Sequence, residues 1–225
     1  MSSLAKKQAI LDAQLKCNPS GVSNPVVFYD QMNDWQTNWT AGFEGGVCPQ
    51  CSGYIVQNPT GEPAGTVEIT NPTTLPQPTA ATSIRATGHS ITPAITPFCF
   101  CVKIQQNSAQ FINTGFFAGL STFPFLTSIA QIGITSYTVD GNFHLVVQQP
   151  ALQDFDLGIP VDNAQHTFTV CKITNGLSVQ VDNDDPQLFV ATLPNSSVVP
   201  LVAIRSRAAT SGSLYLDSYR LSNAT

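Results

Sequence analysis

The chain has 225 residues, of which 42% are hydrophobic and only 10% charged, with a formal net charge of −5. Ordinary soluble domains carry about 25% charged residues, so the surface expected here is polar but largely uncharged. Nine Lys and Arg spread without a basic run exclude the cationic track that a nucleic-acid backbone needs, and no apolar run reaches the roughly 18 residues that suggest a membrane-spanning helix.

Residues 3–16 hold the best helical pattern. Leu4, Leu11 and Leu15 recur near helical spacing, and Asn18-Pro19-Ser20-Gly21 ends the run sharply. Lys6 and Lys7 precede no continuous apolar core, so a secretory signal is not expected. The domain expectation is a helical arm over 1–20 and one β domain over 21–225. Two readings of the arm stand: it packs on its own domain, or it docks on a neighbouring subunit.

From Val26 onward, short β-branched and aromatic runs replace the helical pattern. Runs over 26–29, 52–56 and 65–69 read as strands. Residues 57–97 are thick with Pro, Thr and Gly and read as long loops around short pieces such as 82–86. Pro cannot donate to a ladder, so this half is expected to supply edge strands. Phe98, Phe100, Val102 and Ile104 then alternate strictly on one face. Runs over 115–120 and 129–134 follow, and a turn at 139–142 feeds 143–147. Asp154-Phe155-Asp156 reads as a loop before Leu157-Gly158. Residues 166–173 and 177–181 face each other across Thr174-Asn175-Gly176 as a hairpin, and runs over 199–204 and 214–221 close the chain. Short strands at regular intervals predict an all-β fold of two antiparallel sheets with one short N-terminal helix.

Three segments carry a family resemblance. Phe28-Tyr29-Asp30 with Trp35 and Trp39 looks like an F-x-D-x-F…W entry. The block 166–170, a hairpin, and Val179-Gln180-Val181-Asp182-Asn183 resemble a W-H-x-y-x-i…v-x-v-D-G hairpin, with Gln165 in place of Trp and Asn183 in place of Gly. Residues 214–221 are similar to a closing l-x-v-D-x-v-r-v strand. Together, over 26–222, the chain resembles the concanavalin A-like lectin/glucanase jelly roll. The resemblance implies that sandwich, and glycan binding or glycan cleavage as its usual chemistry.

Cleavage needs two positioned carboxyls. Glucanases of this fold carry an E-x-D-x-E triplet on one strand, and this chain has none. Glu44, Glu62 and Glu68 stand alone, no G-x-S-x-G occurs, and His89, His144 and His166 lie in separate segments. The expectation is therefore a protein that is not an enzyme and requires no cofactor.

Structural metals have two candidate sets. Cys48-Pro49-Gln50-Cys51 has the spacing of a zinc knuckle, and Cys99 and Cys101 leave one strand on the same side to complete four thiolates. Disulfides, or buried reduced thiols, are the competing readings, and Cys17 and Cys171 are left to each other. Asp182, Asp184 and Asp185, with Asn183 between them, offer oxygen ligands for calcium; the plainer reading is a turn. Asp30 and Asp217 form a second calcium candidate at the rim if the first and last strands are neighbours. Candidate glycan-contacting aromatics are Trp35, Trp39, Phe123, Phe125 and Tyr137, against the alternative that each is core.

These features lead to an expected role. The chain is read as a structural or binding component of a virion surface, such as a capsid decoration, fibre or tail protein. It would assemble with itself or other virion subunits as an oligomer and touch cell-surface glycans, without membrane insertion. A free-standing lectin is the alternative, and a glycosidase the third reading.

Overall fold

The computed structural model describes residues 26–44, 54–71, 80–107, 114–137, 139–149, 151–206 and 212–223. These residues form two antiparallel sheets. The first has the order β13 (Gln187–Val190), β12 (Gly176–Val181), β11 (Gln165–Ile173), β6 (Cys99–Asn107), β15 (Gly212–Ser222), β4 (Val67–Asn71) and β3 (Tyr54–Gln57), with β1 (Val26–Asp30) also on β15. The second has the order β10 (Ala151–Pro160), β9 (Asn142–Gln149), β8 (Gln131–Thr135), β7 (Thr114–Ser121), β14 (Val199–Ser206), β5 (Ala80–Ala86) and β2 (Trp39–Glu44). A four-residue helix, α1 (Trp35–Asn38), leads into β2. The arm over 1–20, with Leu4, Leu11 and Leu15, lies outside the described residues.

The core fills the space between the sheets, as period-two patterning requires. Phe100, Val102 and Ile104 of β6 face Phe116, Ala118 and Leu120 of β7, with Phe143, Leu145 and Val147 of β9 beside them, all buried. Strand β15 changes phase partway. Leu214 and Leu216 are buried, then Tyr219 and Leu221, because the register against β6 shifts between Leu216 and Ser218. A bulge inserts one extra residue and flips the parity, keeping both halves of an eleven-residue strand in the core. Tyr219 is fully buried and donates its hydroxyl to the Gly119 carbonyl at 2.7 Å, tying one sheet to the other.

Two sequence expectations need correcting. The Pro-rich first half does not supply only edges: β4 lies between β15 and β3, and β5 between β14 and β2. Asp154-Phe155-Asp156 is not a loop but part of the edge strand β10, paired along β9 from Ala151 to Asp156. The long polar alternation there, with Leu152, Asp154 and Asp156 on one side, hid a strand whose outer face meets solvent.

Candidate functional site

The outer face of the seven-stranded sheet has two unlike halves. Over β14, β5 and β2 its residues are mostly small: Ala203, Ala81, Ser83 and Gly42. The loop joining β7 to β8, residues 122–130, lies down on this floor as a strap. Phe125 is buried against Phe117 with ring centroids 5.3 Å apart, in a second apolar cluster with Ala81, Leu201 and Ala203. Phe123 reaches β2 and β5: its ring lies 4.0 Å below the Arg85 guanidinium carbon. A Cβ at Gly42 would stand 2.9 Å from that ring, so the absence of a side chain makes its seat. Glu44 then fastens the strap. Its two carboxylate oxygens accept the Phe125 and Leu126 amides, each at 2.7 Å. Charge-assisted bonds to backbone amides are among the stronger hydrogen bonds.

Over β7 to β10 the same face is open. A pocket of about 300 Å³ lies there, walled on one side by Phe125 and Leu126. Gln131, Gln148 and Asp154 bring polar atoms to it, and Tyr137 and Arg205 close one end, with the guanidinium carbon 4.5 Å from the Tyr137 ring centroid. Aromatic faces beside a few convergent amides and acids are the usual makeup of a small-molecule site. Such a lining suits a sugar ring, which has apolar C–H faces and a polar hydroxyl rim.

Beyond the pocket stands a cluster that the sequence did not single out. His144 of β9 is held between two carboxylates: Nδ1 is 2.6 Å from Asp154 and Nε2 is 2.8 Å from Asp140. Asp156 lies 3.9 Å from Nε2. A matching arrangement stands at the other sheet's rim, where His166 Nδ1 is 2.7 Å from Asp182 and Nε2 is 2.9 Å from Asp162. For both rings burial by itself lowers the pKa, but the hydrogen bonds and charges of the flanking carboxylates more than offset it, and the net shift is upward from 6.5. Both imidazoles are thus more readily charged than a free ring, and they clamp loops to strands.

The carboxylates of this face fall into two groups. Glu44 sits on one edge strand and is occupied by the strap, and Asp154 and Asp156 sit on the opposite edge. Six strand spacings separate those edges, roughly 29 Å, far beyond the 5–10 Å that a carboxyl pair requires. On that edge the His144 ring stands between Asp154 and Asp156, and Asp140 joins them, its oxygen within 4.8 Å of that of Asp156. Among the described residues, β7, β8 and β14 in the middle of the face carry no carboxylate.

The residues proposed from sequence fall unevenly around this face. Phe125 and Tyr137 line the pocket, and Phe123 belongs to the strap. Trp35 and Trp39 are corrected to core: both are buried, and Trp39 donates its indole N–H to Asp30 at 3.1 Å. Cys99 is corrected as a zinc ligand, because its sulfur is bonded to Cys171 on the neighbouring strand. Cys171 therefore does not depend on Cys17. The pairing joins two adjacent strands. Cys101 lies on the same outward side, with the Thr169 hydroxyl 3.6 Å from its sulfur. Cys48 and Cys51 lie outside the described residues. Asp182 accepts from the Thr167 amide at 2.7 Å as well as from His166, which leaves Asp184 and Asp185 exposed in the turn. Asp30 and Asp217 do not converge: Asp30 serves Met32, Asn38 and Trp39, and Asp217 pairs with Lys103 at 2.7 Å.

Glu44, Gln131, Gln148 and Arg205 were not picked out in sequence. Each is a single polar residue at an outward strand position, and only the strap's path makes these positions a site. The one legible signal was the alternating Asp154–Asp156 pair.

No family model matches the chain, and no curated protein matches it in sequence. Solved structures do match in three dimensions. A β-1,3-glucanase from Mycobacterium marinum is 11% identical with a TM-score of 0.61, covering 89% of this chain and all of its own. An immunostimulatory antigen of Mycobacterium tuberculosis, described as a pseudo β-1,3-glucanase, is 12% identical with a TM-score of 0.60, over 89% of this chain and 99% of its own. A carbohydrate esterase from the Shiga toxin-encoding bacteriophage phi24B is 14% identical with a TM-score of 0.54, over 90% and 100%. At these identities the likeness is one of fold, and the fold of this chain is the concanavalin A-like jelly-roll sandwich seen in glucanase-like proteins.

Proposed function

We propose that this chain is a non-catalytic glycan-binding protein whose ligand enters the open half of the seven-stranded sheet's outer face. The observation that carries this reading is the pocket of about 300 Å³ in which Phe125 and Tyr137 stand beside Gln131, Gln148 and Asp154. Binding over cleavage is supported by the engagement of the outer-face carboxylates: Glu44 holds the Phe125 and Leu126 amides, and Asp140 and Asp154 are hydrogen-bonded to His144. Neighbouring folds described as a glucanase, a pseudo-glucanase and a phage carbohydrate esterase point to the same ligand class by analogy only. A glycan array, run beside a hydrolysis assay on the glycans that bind, tests it. Retention of at least one glycan with no release of reducing ends is expected. Turnover of a bound glycan would replace this reading with a hydrolase.

The same reading sets the domain on the surface of a virus particle, assembled with itself or with other virion subunits. Its support is the sparse charge of 10% and the Cys99–Cys171 cross-link, since disulfides persist in oxidising surroundings such as virion exteriors. Mixing the full chain, and a chain lacking residues 1–20, with candidate particles tests this. Co-sedimentation of the full chain and not the shortened one is expected. Equal binding by both would argue against an anchoring arm.

A further inference from the structure

The strap divides the outer face in a way that sets the size of what can bind. A linear glycan lying across the strands from β10 would next have to pass over β14, β5 and β2. The strap lies on those three strands, with Arg205 left at the pocket's end and Thr40 exposed at the edge. Phe123 is seated above Gly42 and beneath Arg85, and Phe125 is sunk among Ala81, Leu201 and Ala203. The strap removes roughly 14 Å of sheet width at ordinary strand spacing. It is also not a loop resting by chance. Its base is closed by the Thr122 amide on the Ala130 carbonyl at 3.0 Å and by the Ser121 and Ser128 hydroxyls at 2.9 Å, and its crest is gripped by Glu44. Gly42 and Glu44 of β2 act with Ala81 of β5 and Ala203 of β14, strands far apart in sequence that together seat the strap.

We propose that the strap makes the site end-on: it accepts one or two sugar rings at the terminus of a glycan and excludes the interior of a long polysaccharide. This rests on the glycan-binding reading above. Phe125 and Leu126 are then specificity-determining wall residues, and Glu44 is the positioning residue that holds them. The pocket's lining carries Asp154 at one side and Arg205 at its end, which balances charge and suits a neutral sugar.

The test is a ladder of neutral oligosaccharides of one repeating unit, from one ring to six, titrated into the full chain by calorimetry. Affinity is expected to level off by the second ring, and Glu44→Ala is expected to restore a gain with length, roughly tenfold from two rings to six, about the worth of one added hydrogen-bonded contact. Steadily rising affinity through six rings in the unaltered chain would overturn the end-on proposal while leaving glycan binding intact. Amide hydrogen exchange at Phe125 and Leu126 gives a second readout that needs no ligand. Slow exchange in the unliganded protein, accelerated in Glu44→Ala, is expected. Fast exchange at both amides in the unaltered chain would remove the closed strap. Slow exchange with no glycan bound at any length would sink the glycan reading and leave the strap standing.

Discussion

The Trp39 indole donates to the Asp30 carboxylate at 3.1 Å inside the fold, joining the first strand to the start of β2. Asp30 is buried and also accepts from the Met32 amide at 2.7 Å and the Asn38 side chain at 3.0 Å. Three donors on one carboxylate explain why an acid is tolerated there. The Trp39 ring in turn meets Tyr219 edge-on at 5.5 Å, which connects this corner to the core. Asp30→Ala strands those donors and is expected to lower stability by roughly 2–4 kcal/mol, read as a shifted urea midpoint. A loss under about 0.5 kcal/mol, the size of an ordinary surface change, would show that the corner is not a structural joint.

Tyr137, two residues past β8, and Gln148, near the end of β9, both line the pocket. Tyr137→Ala and Gln148→Ala are each expected to weaken the affinity for a bound glycan about tenfold, the value of one lost contact of about 1.4 kcal/mol. Trp39→Phe, in contrast, is expected to leave affinity unchanged while lowering the melting temperature, because Trp39 faces the core. An unaltered affinity in both pocket variants would place the ligand elsewhere.

The two histidine clamps give the fold a signature against pH. Each folded-state pKa is raised above 6.5, so the stabilisation is complete below pH 6.5 and is lost as pH rises through the folded value. Asp162, partner of His166, is shifted down from 3.8, with its hydrogen bonds to His166 and Ala164 outweighing burial, so its share is lost as pH falls through the lowered value. Thermal melts from acid to mild alkali should show stability declining as pH rises beyond 6.5 in the unaltered chain. The double variant His144→Gln, His166→Gln should decline less over that range. Parallel curves for the two proteins would mean that the imidazoles do not set the upper limb.

The Cys99–Cys171 bond links adjacent strands across 72 residues of chain. Closing a loop of that length in the unfolded state is worth about 4 kcal/mol in the chain-entropy picture. Cys171→Ser, or full reduction, is expected to lower stability by roughly 2–4 kcal/mol with the sandwich retained. Zinc chelation should leave Cys99 chemistry unaffected in the oxidised protein. Thiol titration that counts Cys99 as reactive before any reductant is added would contradict the bond.

The strap can be dislodged at its Phe123 seat as well as at Glu44. Gly42→Val puts methyl groups where Phe123 lies, since even a Cβ there approaches the ring to 2.9 Å and Ser83 Oγ to 2.7 Å. Overpacking of this kind costs about 1–3 kcal/mol. The expected result is faster amide exchange at Phe125 and Leu126 with the core amides of β7 unchanged. Unchanged exchange in the strap would show that Phe123 is not seated by Gly42.

Much of the sandwich was legible because burial in a sheet repeats every two residues, a local code. Phe98 to Ile104 announced β6, and the hairpin of β11 and β12 followed from Thr174-Asn175-Gly176. Two things blurred that code. In β15 a bulge changes the parity between Leu216 and Ser218, and in β10 an edge position leaves the inward residues Phe155 and Ile159 only partly buried while the other side meets solvent. The aromatics were only half legible: Trp35 and Phe125 look equally available in sequence, and both turned out buried, one in the core and one in the strap.

The sequence by itself determined the fold class, the inward face of most strands and the lack of an acidic triplet, since each depends on residues that are near neighbours along the chain. Tertiary structure alone decided that Glu44 would meet Phe125 from 81 residues away, that Cys99 would choose Cys171, and that a loop would cover half of one sheet. Those outcomes depend on which strands lie side by side and which small residues leave room above them. No local period encodes such adjacency; it is fixed only when the chain closes on itself.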